Sequence, residues 1–311
     1  MVWDGIIACY LFLAGLGAGA FALAALAGFV KPDAVKLRTL GYLIAPIAVA
    51  VGTVLLMVDA KAGLQNPLRF FGLLANFSSV MAWGVVILVV FMVVSVIALV
   101  IMLRKKTTPR VLDIIGLVCA VAVAVYTGLL LGDAPGFPLW NPIVLPLLFL
   151  VSALSTGFAA VLLVAHIMKS AEPKTVCFLK KTGLVFPVLE AILLAVLLMV
   201  TASTGGSAGA AASASVASLI GGSYAIAFWV GLVIVGLVVP FCIEVMRMMQ
   251  VKKASVIKSD GSIEESLSAK GHSVVETGSV GFAIVGEVGI LIGGFMLRYL
   301  IIMAAVPLAF G

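Results

Sequence analysis

The chain reads as an all-α polytopic membrane protein, eight transmembrane helices in two four-helix bundles. Three observations predict it: eight long apolar stretches, scarce charge, and basic residues concentrated in alternate gaps. Hydrophobic residues make up 64% of the 311 and charged residues 10%, with a mean hydropathy of +1.32. Each stretch approaches or exceeds the ~20 residues that a helix needs to cross the hydrocarbon, which excludes a soluble fold.

The stretches run roughly Ile6 to Val30, Leu40 to Val58, Val80 to Leu103, Leu112 to Leu131, Leu145 to Met168, Leu184 to Val200, Tyr224 to Met246 and Val280 to Met303. Lys31, Lys36 and Arg38 follow the first; Arg104, Lys105, Lys106 and Arg110 the third; Lys169, Lys174, Lys180 and Lys181 the fifth; Arg247, Lys252, Lys253, Lys258 and Lys270 the seventh. By the positive-inside bias these four gaps face the cytoplasm and both termini lie outside. The intervening gaps hold only Lys61 and Arg69, and Arg298 lies inside the last span. The net charge of +6 is therefore a topology signal, with no implication of nucleic-acid binding. The first apolar run is too long for a cleaved signal and lacks a basic n-region, so no removable leader is expected.

Two aqueous segments are long. Val251 to about Ser279, rich in Lys, Ser, Glu and Gly, reads as a mobile cytoplasmic connector. Thr201 to Ser223 is uncharged and dominated by Ala, Gly and Ser; it is suited to lie against a partner or to cover a lipid-facing opening, and composition does not choose between them. An internal echo relates the halves. Leu11-Phe12-Leu13 followed by Leu16-Gly17-Ala18-Gly19 returns, one residue longer, as Leu148-Phe149-Leu150 followed by Leu154-Ser155-Thr156-Gly157. Four spans separate the copies, so residues 1–140 and 141–311 are expected as two bundles of like orientation. Gly15 and Gly19, four apart on one face, and Gly293-Gly294 suit close helix packing; without a preceding strand they are no nucleotide loop.

Cofactor chemistry is bounded mainly by absences. Cys9, Cys119, Cys177 and Cys242 stand singly, without CxxC spacing, against an iron–sulfur cluster or zinc site in this chain. The two histidines are His166, near the cytoplasmic end of the fifth span, and His272, in the connector, which leaves no set of facing pairs for transmembrane haem. Any redox role then relies on a diffusible carrier such as a quinone.

Ionisable residues inside spans are costly and usually functional. Asp59, Tyr126, Asp133 and Arg298 fall at outer ends, whereas Glu190 and Glu287 lie deeper, each about seven residues, or roughly 10 Å, from the cytoplasmic end. The two carboxyls are expected at one level, where burial favours a neutral acid with a proton to exchange; the bland alternative is a hydrogen bond to a neighbouring helix. Asp113, Glu244 and Asp4 read as solvated interfacial groups. The outer segment Lys61 to Trp83 brings Phe70, Phe71 and Trp83 to headgroup depth, with Arg69 available to pair with Asp59 or a partner's carboxylate.

YLFLAGLGAGAFALA, NPLRF, VMAWG, VYTGLLLGDAPGFPLWN, LFLVSALSTGFAAVL and GGFMLRYLIIMAA together resemble, in order and over nearly the whole chain, the NrfD/PsrC family of polysulfide-reductase membrane subunits. The resemblance implies a haem-free, eight-helix subunit of the bacterial cytoplasmic membrane that binds menaquinone or ubiquinone. It also implies electron exchange with an outer, four-cluster ferredoxin-like iron–sulfur protein, in many relatives serving a molybdopterin catalytic subunit. Tyr126 matches the family's tyrosine beside the quinone head group, and Asp59 and Arg69 resemble its acid and arginine. The family's Asp-Leu-Gly-Arg-Pro is here Asp59-Ala-Lys-Ala-Gly with a later Asn66-Pro67, and the first helix lacks the histidine of some relatives, with Tyr10 as a polar substitute.

A quinone site needs an apolar slot, a few placed donors and a proton acceptor. Tyr126 and Tyr10 are expected to donate, Asp59 to exchange the proton, and Arg69 and Arg298 to balance negative charge. Glu190 and Glu287 would carry protons from the cytoplasmic side, coupling turnover to the membrane potential. No catalytic residue for a terminal substrate and no metal ligand is expected. Competing readings are a secondary transporter, which a parallel repeat with buried carboxylates would suit, and a structural anchor, for which buried Glu residues would be a needless cost.

Overall fold

A computed structural model describes the backbone of residues 5–59, 80–168, 173–259 and 265–308, and side chains at 5–57, 80–168, 183–249 and 280–308. Among these residues there is no strand. The α-helices are α1 Gly5–Val30, α2 Val35–Asp59, α3 Val80–Lys105, α4 Arg110–Gly132, α5 Val144–Ile167, α6 Pro173–Ala202, α7 Gly209–Ile220, α8 Val239–Ser259 and α9 Glu265–Met303. A π-helix, Ala227–Val238, leads into α8. Eight helical segments are long and apolar enough to cross a membrane, the seventh being Ala227–Met249; α7 is too short to do so. The protein is an integral membrane protein.

Helices α1 and α5 form the centre. Apolar residues surround α1 on every side, and a helix hydrophobic all round belongs in an interior. Accordingly 78% of its apolar window is buried, against 28% for α3, whose far face is left for lipid. Helix α1 packs on α2, α4, α5 and α9. The echoed sequence explains how α1 and α5 approach: Gly19 and its counterpart Gly157 face each other, and a Cβ on either would run into the other's backbone. Gly236 and Gly293 repeat the device between the π-helix and α9. Lipid offers no hydrophobic drive between helices, so close van der Waals packing of small residues has to supply it.

The two ends of the bundle differ. At the Lys/Arg-rich end, α2 starts earlier than hydropathy suggests, because Val35 to Thr39 already wind as helix. Arg38, expected in the loop, is thereby drawn inward and is buried. At the opposite end, the connection between α4 and α5 is folded onto the molecule. Trp140 Nε1 donates to the Ile301 carbonyl at 2.9 Å, the Leu308 N–H donates to the Gly136 carbonyl at 2.8 Å, and Asn141 Oδ1 accepts from the N–H of Ile143 and Val144 at 3.0 and 3.1 Å. Those last two bonds satisfy donors that the first turn of α5 would otherwise leave open.

Both long aqueous segments hold helix. Within Thr201–Ser223, α7 lies against the tail that follows α9: the Val306 N–H donates to Ser215 Oγ at 2.9 Å. Residues 251–259 continue α8 and residues 265–279 open α9, while 260–264 lie outside the described residues.

Candidate functional site

Two groups of polar residues form inside the spans. The first lies toward the end opposite the basic loops. Tyr10 is five residues into α1 and Tyr126 six residues from the end of α4, each roughly 8–9 Å from its helix terminus at 1.5 Å per residue. Both are buried and close enough to influence one another electrostatically. Gly84 of α3 makes the room: the tip of the Tyr126 ring rests where any side chain at position 84 would sit. The side chain of Asp59 and all of Arg69, expected at this level, lie outside the described residues, as do Phe70 and Phe71; Trp83 is exposed on α3.

The second group is strung along α5. Arg298, expected near an outer helix end, is fully enclosed by α1, α5 and α9. Its Nη1 donates to Ser152 Oγ at 3.0 Å and to the Gly294 carbonyl at 2.8 Å. Its guanidinium carbon stands 5.8 Å from the Phe12 ring centroid and 5.2 Å from that of Phe149, while Gly15 keeps its own backbone clear of Nη2. At the centre of a span an arginine costs about 2.5–3.5 kcal/mol on insertion scales, an upper figure for Arg298, which is five residues from the end of α9. Two hydrogen bonds from a charged donor, at about 1.5–3 kcal/mol each, with two aromatic faces, offset that cost, while Nε and Nη2 are buried without a hydrogen-bond partner among the described residues. Glu190, on α6, is within its electrostatic reach.

Glu190 is buried, with Ser155 of α5 near its carboxyl. Ser155 also lines a cavity of about 60 Å³ whose wall includes His166, Pro187, Glu244, Arg247 and Glu287. At roughly 10–15 Å³ per water this admits a few waters. His166 Nδ1 lies 2.8 Å from Glu287 Oε1, and Arg247 Nη1 donates to Glu244 Oε2 at 3.2 Å. The expectation that Glu190 and Glu287 share one level is overturned. Their partners on α5, Ser155 and His166, are about 16 Å apart along the helix, because α6 and α9 are offset along α5 rather than in register.

The interfacial acids also depart from expectation. Asp113 is buried, not solvated. Its Oδ1 accepts from the Tyr42 hydroxyl at 2.6 Å, its Oδ2 from Thr108 at 2.8 Å, and Arg38 Nη2 stands 3.6 Å away. Thr108 in turn accepts from Arg38 at 2.6 Å. Glu244 is likewise buried; Asp4 lies outside the described residues. Burial follows from which helices are neighbours, since Arg38 and Tyr42 on α2 face Asp113 on α4. Sequence reasoning passes over Gly84, Ser152, Ser155, Arg247 and the pairing role of His166. The signals are faint: Gly84 closes VMAWG, and Ser155 sits in the echo. Among the described residues no three His, Cys, Asp or Glu gather as a metal site.

Comparison with known proteins adds an independent finding. Residues 1–259 match the family model described as polysulphide reductase, NrfD. The C subunit of polysulfide reductase from Wolinella succinogenes is 33% identical over 283 residues, covering 82% of this protein and 86% of that one. Protein NrfD of Escherichia coli is 30% identical over 276 residues, covering 78% and 84%. An NrfD homolog of Haemophilus influenzae is 29% identical over 276 residues, covering 77% and 82%.

Proposed function

Since this chain belongs to the NrfD polysulphide reductase family, we propose that it is the quinone-binding membrane subunit of a respiratory oxidoreductase. In this reading it passes electrons between the quinone pool and an iron–sulfur subunit docked at the end opposite the basic loops, with a molybdopterin or other catalytic subunit beyond. The Wolinella relative is named as one lettered subunit of a reductase, which supports membership of a multi-subunit complex.

One observation carries the reading: two buried tyrosines, Tyr10 on α1 and Tyr126 on α4, lie at comparable depth below helix ends on the side opposite the basic loops, the Tyr126 ring seated over Gly84. Tyrosine hydroxyls in an apolar surround fit a ligand that is apolar save for two carbonyl oxygens. The quinone, when bound, supplies two-electron, two-proton chemistry. Tyr126 would donate a hydrogen bond to one carbonyl and Tyr10 would add a polar contact. Asp59 and Arg69, whose side chains lie outside the described residues, are the proton acceptor and cation expected from the sequence.

A second element concerns protons. Glu190, enclosed beside Ser155 and within the field of Arg298, is suited to hold and release a proton at depth, with Glu287 nearer the basic end, so that electron transfer is accompanied by proton movement. This deeper set of groups is what distinguishes the reading from a plain anchor.

Replacing Tyr126 by Phe tests the site. Loss of one donated hydrogen bond, about 0.5–1.5 kcal/mol net, is expected to lower quinol-dependent turnover of the purified complex about three- to tenfold with subunit assembly unchanged. Unaltered turnover removes Tyr126 from the site.

A further inference from the structure

We propose that the cavity between α5, α6, α8 and α9 is a water-filled vestibule open toward the Lys/Arg-rich end, in which the His166–Glu287 pair takes up a proton that Ser155 relays to Glu190. The proposal deepens the proton-transfer reading above and rests on it. Four observations carry it.

The cavity runs along α5 from His166 to Ser155, bridging the distance that separates Glu287 from Glu190. Its walls carry a titratable or charged group from three of the four surrounding elements: His166 of α5, Glu244 and Arg247 of α8, and Glu287 of α9. From α6 the cavity is faced by Gly183, Phe186 and Pro187, with Glu190 one turn deeper. The acid and base are not saturated: Glu287 Oε1 is 2.8 Å from His166 Nδ1, whereas Oε2 is buried without a hydrogen-bond partner among the described residues. That open oxygen is where a vestibule water delivers a proton. Finally, Ser155 touches both the cavity and Glu190, and a hydroxyl both donates and accepts, which is what a relay requires.

Other occupants fit less well. Two carboxylates against one guanidinium disfavour an anion, and the described residues assemble no metal-holding cluster.

The test uses the intact complex in membrane vesicles of both orientations, with the four natural cysteines replaced. Gly286 lines the cavity and a side chain there meets only ordinary contacts with Ile243. Its neighbour Val285 is 55% exposed on the outer, lipid-facing surface of α9. A membrane-impermeant thiol reagent applied from the Lys/Arg-rich side is expected to label Gly286→Cys at least tenfold faster than Val285→Cys. Equal rates, or labelling only from the opposite side, overturn the vestibule. This readout needs no quinone chemistry, so it stands or falls separately from the redox reading. In liposomes, Glu287→Gln and His166→Gln are expected to lower protons taken up per electron by at least half, with Glu287→Asp restoring part of the loss. An unchanged ratio in both Gln variants overturns the loading role even if the vestibule is wet.

Discussion

The Lys/Arg-rich end presents two buried carboxylate sites, and they are built for different purposes. Between α2 and α4, Asp113 has both oxygens occupied, by Tyr42 and by Thr108, with Arg38 beside them and Gly28 packed close against the guanidinium. Between α5 and α9, Glu287 has one oxygen against His166, the other open, and a cavity alongside. The ingredients overlap: each has an acid and a cationic or basic partner. Saturation differs. A carboxylate whose lone pairs are filled by fixed donors is held as a charge and ties helices together. One with an open oxygen and space for water is, in the proposed reading, the one that exchanges its proton.

The contrast can be broken by substitution. The largest expected effect is Asp113→Ala, which strands Arg38. Removing one partner of a buried ion pair costs about 3–5 kcal/mol, and the lower figure applies because Arg38 keeps its bonds to Thr108 and to the Pro32 carbonyl. The thermal midpoint of the detergent-solubilised complex should fall clearly, and a midpoint equal to wild type would mean that Asp113 is no lock. Next is Tyr42→Phe, which deletes one hydrogen bond to a charged acceptor and should destabilise by about 1.5–3 kcal/mol. The same melting measurement reads it, and a larger loss than for Asp113→Ala would make Tyr42 the true centre of the network. The smallest effect is expected for Glu287→Gln, which keeps shape and an acceptor for His166. Stability should stay within about 1 kcal/mol of wild type while proton uptake drops. If this variant melts as early as Asp113→Ala, the two sites are the same kind of device and the comparison fails.

Legibility in the sequence differs residue by residue. Tyr126 stands out within VYTGLLLG, and its burial beside Tyr10 follows from the comparable depth of both below helix ends on the same side. Gly84 is invisible as a functional position, since its importance lies in the ring that another helix places over it. Glu190 and Glu287 are legible as interior carboxyls, yet their common level is an artefact of counting each from its own helix end. Counting along one helix cannot register the offset of α6 and α9 against α5. Asp113 and Glu244 look solvated because a position close to a hydrophobic boundary is an interface in one dimension. In three dimensions neighbouring helices close over them.

By itself the sequence determined the number of spans, their places and the segregation of basic residues to one end, because apolar length and charge are local properties that the bilayer reads helix by helix. It also marked Gly19 and Gly157 as equivalents through the echo. Only the tertiary structure decided that those two glycines meet each other, that Asp113 is saturated while Glu287 is not, and that a cavity joins His166 to Ser155. Pairing and hydration depend on which helix faces flank a point in space, and hydropathy along a linear sequence holds no record of that.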